Sequence, residues 1–246
     1  MSENNNNHRP SAHSEPNESN KKFRLATTKL LKASQEYSAY GILAFAGLHL
    51  TSTVILPPIS FNVANKAFMV GRSVYQSELG EFFLVYLSFG IHILSGFLLR
   101  MFRLYWSYKD SNKLKFPKVS TVSKSGFVLT FLTSMHFLAT RVSPTKALGD
   151  SSLISLEYMA YCLNVDRIPT SIALVLLTTV FATHAMYGAT YYFKIPKPKQ
   201  YLTIVAAGLA TLAASALAKH EPATGWLAEQ FELAHSWLPK TLSGSA

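Results

Sequence analysis

Apolar and polar residues fall in long blocks along this chain. Five blocks, roughly residues 37–56, 81–104, 126–143, 168–193 and 201–218, are almost free of charge. Each is close to the ~20 residues that a helix needs to cross a hydrocarbon core of ~30 Å. The pattern predicts an all-α integral membrane protein with five transmembrane helices. Pro57-Pro58 closes the first block, Pro144 is expected to stop the third, and Pro169 falls near the start of the fourth, where proline is tolerated. Residues 61–80 are too short and polar to span, and a second short stretch, Leu153–Leu163, precedes the fourth block. They are expected to lie in the interface, the first anchored by Phe61, Phe68 and Tyr75.

The blocks repeat. His49, Thr53 and Pro57 have the spacing of His136, Thr140 and Pro144, and each set is followed by an apolar block with His and, four residues on, Gly: His92 with Gly96, His184 with Gly188. The histidines correspond at offsets of 87 and 92 residues, which predicts two fused copies of a two-helix unit. Residues 37–122 form membrane repeat 1 and residues 123–198 membrane repeat 2, together a four-helix core. The fifth helix, 199–218, carries Ala206, Ala210, Ala214 and Ala218 at spacing four, a small-residue stripe for close packing in lipid. In the tail, 219–246, Trp226, Leu227, Phe231, Ala234, Trp237 and Leu238 have helical spacing and predict an interfacial helix. At the front, residues 1–20 are polar and predict a disordered tail. Residues 21–36 set Lys29 and Lys32 among Leu25, Leu30 and Leu31, the pattern of a basic amphipathic helix on the membrane surface.

Charge orients this arrangement. The formal charge is +10, and with five spans one face holds 16 of the 23 Lys and Arg residues and five of the 13 acids, giving +11 there and −1 on the other. The amino terminus is therefore expected in the cytosol, with the basic face against anionic lipid head groups rather than nucleic acid. A single cysteine, Cys162, excludes an internal disulfide, and the lack of C-x-x-C-H excludes covalent c-type haem.

The four histidines are the candidate chemistry, because ionisable groups inside a membrane are costly and default to a functional role. His49 and His136 lie eight residues before Pro57 and Pro144, about 12 Å from one boundary. His92 and His184 sit nearer the basic face. Depth therefore pairs His49 with His136, and His92 with His184. Two imidazoles on facing helices can supply both axial ligands of a b-type haem, so the bundle is a candidate site for one or two haems. Gly96 and Gly188 would clear space for a porphyrin edge. Thr53 and Thr140 would return their hydroxyls to the preceding turn. Arg100, Arg103 and Lys194 could pair with the propionates of one haem, and Arg72 or Arg141 with those of the other. Two other readings stay open: interhelical hydrogen bonding with no cofactor, and a zinc ion held by histidines. No phosphate loop, nucleophile elbow or dinucleotide fingerprint is present. No catalytic residue is assigned, and any chemistry is electron transfer.

In architecture, residues 37–218 resemble the single-chain dihaem cytochrome b anchors of succinate dehydrogenase and fumarate reductase. The duplicated H-x3-T-x3-P and H-x3-G segments and the Asn-rich tail resemble more closely the fungal Mdm-complementing protein family of the mitochondrial outer membrane, which looks like a duplicated form of that cytochrome-b-like unit. The second resemblance implies a role in mitochondrial lipid homeostasis, as a receptor for a bridge-like lipid transporter at organelle contacts and in moving lipids across the bilayer. The first implies instead an electron-transfer subunit, or a quinone-linked anchor of a dehydrogenase. The family's transporter-binding Pro-x-Pro lies in the cytosolic tail, whereas this tail has only isolated Pro10 and Pro16. The sole Pro-x-Pro here is Pro196-Lys197-Pro198, in a short loop after the fourth helix.

Overall fold

The computed structural model describes residues 18–111, 119–192, 194, 196 and 200–236. The tail expected to be disordered lies almost wholly outside them, as do Pro10, Pro16, Lys197, Pro198, Trp237 and Leu238. Every regular element among the described residues is helical. Four helices are long and apolar enough to cross a membrane: α1 (Glu18–Ile55), α3 (Glu78–Ser111), α6 (Arg167–Tyr192) and the Tyr201–Ala218 part of α7 (Gln200–Ala218). The expected third span is helical too, as α4 (residues 121–148). It is not one of those four, its apolar run being diluted by Ser, Thr, His136 and Arg141. Short helices α2 (Phe61–Tyr75), α5 (Leu156–Val165) and α8 (Trp226–Ser236) complete the set.

Three expectations change. The surface helix at 21–36 and the span beginning at 37 are one continuous helix, because Lys, Leu, Ala and Glu are good helix formers and nothing there breaks the ladder. Its first turns pack along the end of α3: Arg24 pairs with Asp110 at 2.9 Å and lies 4.5 Å over the Trp106 ring, and Phe23 meets Phe102 edge-on. Second, Pro144 does not stop α4. A π turn at Leu138–Val142 resets the hydrogen bonding, so that Pro144 falls in the first turn of Ser143–Leu148, where its missing N–H is tolerated. Gly149 ends the helix with φ +86°. Third, the stretches expected in the interface pack on protein. Ala64 and Phe68 of α2, Leu156 and Leu163 of α5, and Leu217 of α7 form one buried cluster.

The repeats are visible in the packing. α1 runs along α3, and α4 along α6, while the backbones of the two pairs approach each other much less closely. At the first crossing a Cβ on Gly41 would lie 3.1 Å from Ser88 Cβ, so the missing side chain permits the close approach. The alanine stripe behaves as expected at its two middle positions: Ala210 and Ala214 are buried, and α7 packs against α6 and α5. Outward faces carry exposed Leu94, Phe97, Phe131, Ile172 and Leu212, the surface a bundle presents to lipid rather than to water.

Candidate functional site

The four histidines meet in the pairs that depth predicts. The His49 and His136 ring centres are 6.0 Å apart, and so are those of His92 and His184. Both pairs bridge the space between α1–α3 and α4–α6. An imidazole nitrogen sits about 2 Å from a bound first-row metal, so two rings on opposite sides of one ion have centres roughly 6 Å apart. By donor type and spacing, a histidine pair of this kind would be able to hold a haem iron.

The surroundings of the two pairs differ. His92 Nδ1 lies 3.1 Å from the Gln35 carbonyl and 3.3 Å from Ser38 Oγ. His184 Nδ1 lies 3.2 Å from the Val122 carbonyl and 3.2 Å from Ser125 Oγ. A carbonyl only accepts, so in each neutral ring Nδ1 donates and Nε2 keeps its lone pair. Metal-binding histidines are commonly oriented in this way. The sequence reading missed these four partners, although the repeat carries their signal. Ser38 and Ser125, like Gln35 and Val122, are 87 residues apart, the offset of His49 and His136.

At the other pair, aromatic packing replaces the carbonyls. Phe45 stacks on His49 at 5.3 Å, and the Tyr75 hydroxyl faces His49 Nδ1 at 3.4 Å. Burial pushes the Tyr75 hydroxyl up to about 12, against the opposing pull of Arg72, so it stays protonated. Thr53 and Thr140 donate to the His49 and His136 carbonyls, each at 2.7 Å. The matching π turns, Thr51–Ile55 and Leu138–Val142, begin two residues after each histidine. Single π turns inside helices occur often at functional sites.

A cavity of about 590 Å³ opens beside this pair, lined by His49, His136, Phe45, Phe89, Phe137 and Phe181 among others. Arg72, Glu81 and Arg141 also line it. Arg141 pairs with Glu81 at 2.8 Å, joining the repeats, and donates to Ser151 Oγ. Arg72 donates to the Ser151 carbonyl at 2.7 Å, to Ser152 at 3.1 Å and to Ile154. Both expected propionate partners thus stand at the cavity but are engaged by protein. Arg100, Arg103 and Lys194 do not line it. Of the two glycines, Gly188 faces open space, whereas a Cβ on Gly96 would meet Gln35 Nε2 at 2.8 Å. Among the described residues no group of three His, Cys, Asp or Glu is arranged to hold a metal ion.

No curated protein and no solved structure matches the chain. Residues 131–229 match the family model described as MDM10-complementing protein 1, transmembrane domain, a match that takes in His136, His184 and α7 but not the first repeat. Together with the long apolar helices this makes the chain a multi-pass membrane protein. The resemblance drawn from the repeated histidine segments is borne out by this match, in that residues 131–229 are similar to the membrane domain of the Mdm-complementing protein family.

Proposed function

We propose that this chain is a five-span protein of the mitochondrial outer membrane, with its amino terminus in the cytosol, that serves lipid homeostasis as a contact-site receptor for a bridge-like lipid transporter and holds b-type haem between its repeats. The observation that carries the haem assignment is the meeting of histidines from different repeats at 6.0 Å, twice. It also supports counting α4 as a span. His136 stands level with His49 only if α4 runs through the bundle beside α6.

A histidine pair would hold the iron, and bound haem would supply one-electron redox chemistry. The chain's own part is to surround His49 and His136 with apolar walls that exclude water, while backbone carbonyls fix the His92 and His184 rings between the helices. Protein purified from haem-supplemented cells is expected to show a Soret band and, after dithionite, a sharp α-band. Colourless, haem-free protein that is nonetheless folded would refute the haem assignment.

The receptor role rests on what the family resemblance implies, and its expected location is the basic cytosolic face. Removal of residues 1–36 combined with Pro196→Ala and Pro198→Ala is expected to abolish recruitment of the transporter to mitochondria, scored by fluorescence co-localisation. Unchanged recruitment would count against the receptor reading and leave the haem assignment standing. The equal spacing of both pairs favours one second reading, a dihaem electron-transfer subunit linked to quinone. Rapid reduction of the bound haem by a quinol analogue would support it, and reduction only by dithionite would exclude it.

A further inference from the structure

The two histidine layers are not equivalent, and from this we infer that the chain takes one haem, between His49 and His136, while His92 and His184 form a structural clasp. The inference rests on the haem reading above and sharpens it.

Space separates the layers. The cavity of about 590 Å³ reaches His49 and His136, and neither His92 nor His184 lines it. Its size lies within the range of about 300–1,000 Å³ usual for small-molecule and cofactor sites. Its walls are made apolar by the fold itself, since Thr53 and Thr140 turn their hydroxyls back onto their own helices. Gly90 adds room: a Cβ there would meet nothing within 4 Å. Arg72 and Arg141 stand on the same lining, with their guanidinium groups bonded to the segment between α4 and α5 and, for Arg141, to Glu81.

The other layer is closed by protein on the Gly96 and Gly126 sides, and only Gly188 faces open space. The face of Gly96 that would admit a porphyrin edge is occupied by the Gln35 amide, and Tyr192 of the second repeat donates to Gln35 Oε1 at 2.9 Å. A Cβ on Gly126 would sit 3.1 Å from His184 Cε1, so that ring too is closely flanked. Gln35 thus holds His92 through its carbonyl and Tyr192 through its side chain, linking α1, α3 and α6. With the carbonyl bonds at both rings, this layer works as a polar junction that fixes helix register.

Haem content against protein mass, measured on the full chain purified from haem-supplemented cells, tests the inference. We expect about one haem per chain. His49→Ala and His136→Ala are each expected to cut haem content by about tenfold or more. His92→Gln and His184→Gln are expected to leave both content and α-band position unchanged. His49→Met guards against misfolding as an explanation, because an altered axial ligand is expected to shift the low-spin spectrum while haem is retained. Two haems per chain would overturn the inference and leave the haem reading intact. So would loss of the spectrum in His92→Gln with its survival in His49→Ala. Haem-free, folded wild-type protein would overturn both.

Discussion

Arg72→Ala is expected to destabilise the folded protein by about 3–5 kcal/mol, because each buried polar group left without a partner costs about 1–3 kcal/mol. Arg72 is buried, with 9% of its surface exposed. It spends its guanidinium on the carbonyls of Ser151, Ser152 and Ile154 and on Gln76 Oε1, the last at 2.8 Å. Three of these acceptors belong to the segment between α4 and α5, so one side chain of the first repeat satisfies a turn of the second. Burial lowers its pKa, but Tyr75 and Asp150 oppose the shift, and an arginine in this setting stays charged. Arg72→Lys is expected to recover only part of the loss, since a single ammonium cannot reproduce a planar fork aimed at several carbonyls. Unfolding in detergent, followed by helical circular dichroism, measures both variants. An Arg72→Ala protein within about 1 kcal/mol of wild type would show that water satisfies these carbonyls as well as arginine does.

The sequence anticipated Arg72 only as a partner for a haem propionate. Its contacts lie 79 to 82 residues away, and no local pattern reports which turn a buried arginine will meet. Depth, by contrast, was legible. Counting residues from Pro57, Pro144, Arg100 and Lys194 sorted the four histidines into the pairs that meet, because helical rise converts sequence distance into height. The alanine stripe was legible for a similar reason: spacing four puts small side chains on one face. The π turns were not, since they are a slip of one residue in backbone hydrogen bonding that leaves side-chain periodicity nearly intact. What could have marked them is the doubled H-x3-T, whose hydroxyls bond the carbonyls just before each slip. Charge density misled the reading at residues 36–37. It changes sharply there, but a change of solvent is not a break in a helix, and α1 carries its basic first turns straight on along α3.

The tail posed a different ambiguity, since an amphipathic pattern does not say whether its apolar face meets lipid or protein. In α8 it meets protein. Phe231 is fully buried against Tyr158 and Tyr161, with ring centres at 5.3 and 5.8 Å. Ser143 donates to the Ala234 carbonyl, and His235 Nε2 lies 2.6 Å from Asp166 Oδ2. Phe231→Ala is expected to remove about 3–5 kcal/mol of packing. Because α8 follows the last long helix, the loss falls on its docking and leaves the bundle standing. The single cysteine reports the event. Cys162 packs in the same cluster as Phe231 and Ala234, 6% exposed, and burial pushes its thiol up to about 12. Reaction with a maleimide therefore requires α8 to lift. Each 1.4 kcal/mol changes a population about tenfold, so Phe231→Ala is expected to label at least about 100-fold faster than wild type. Its helicity and main unfolding transition should be nearly unchanged. Trp226→Ala, at an exposed position on the same helix, is expected to label at the wild-type rate. Equal labelling of wild type and Phe231→Ala would mean that α8 does not shield Cys162. A collapse of the main transition would mean instead that the tail is part of the cooperative core.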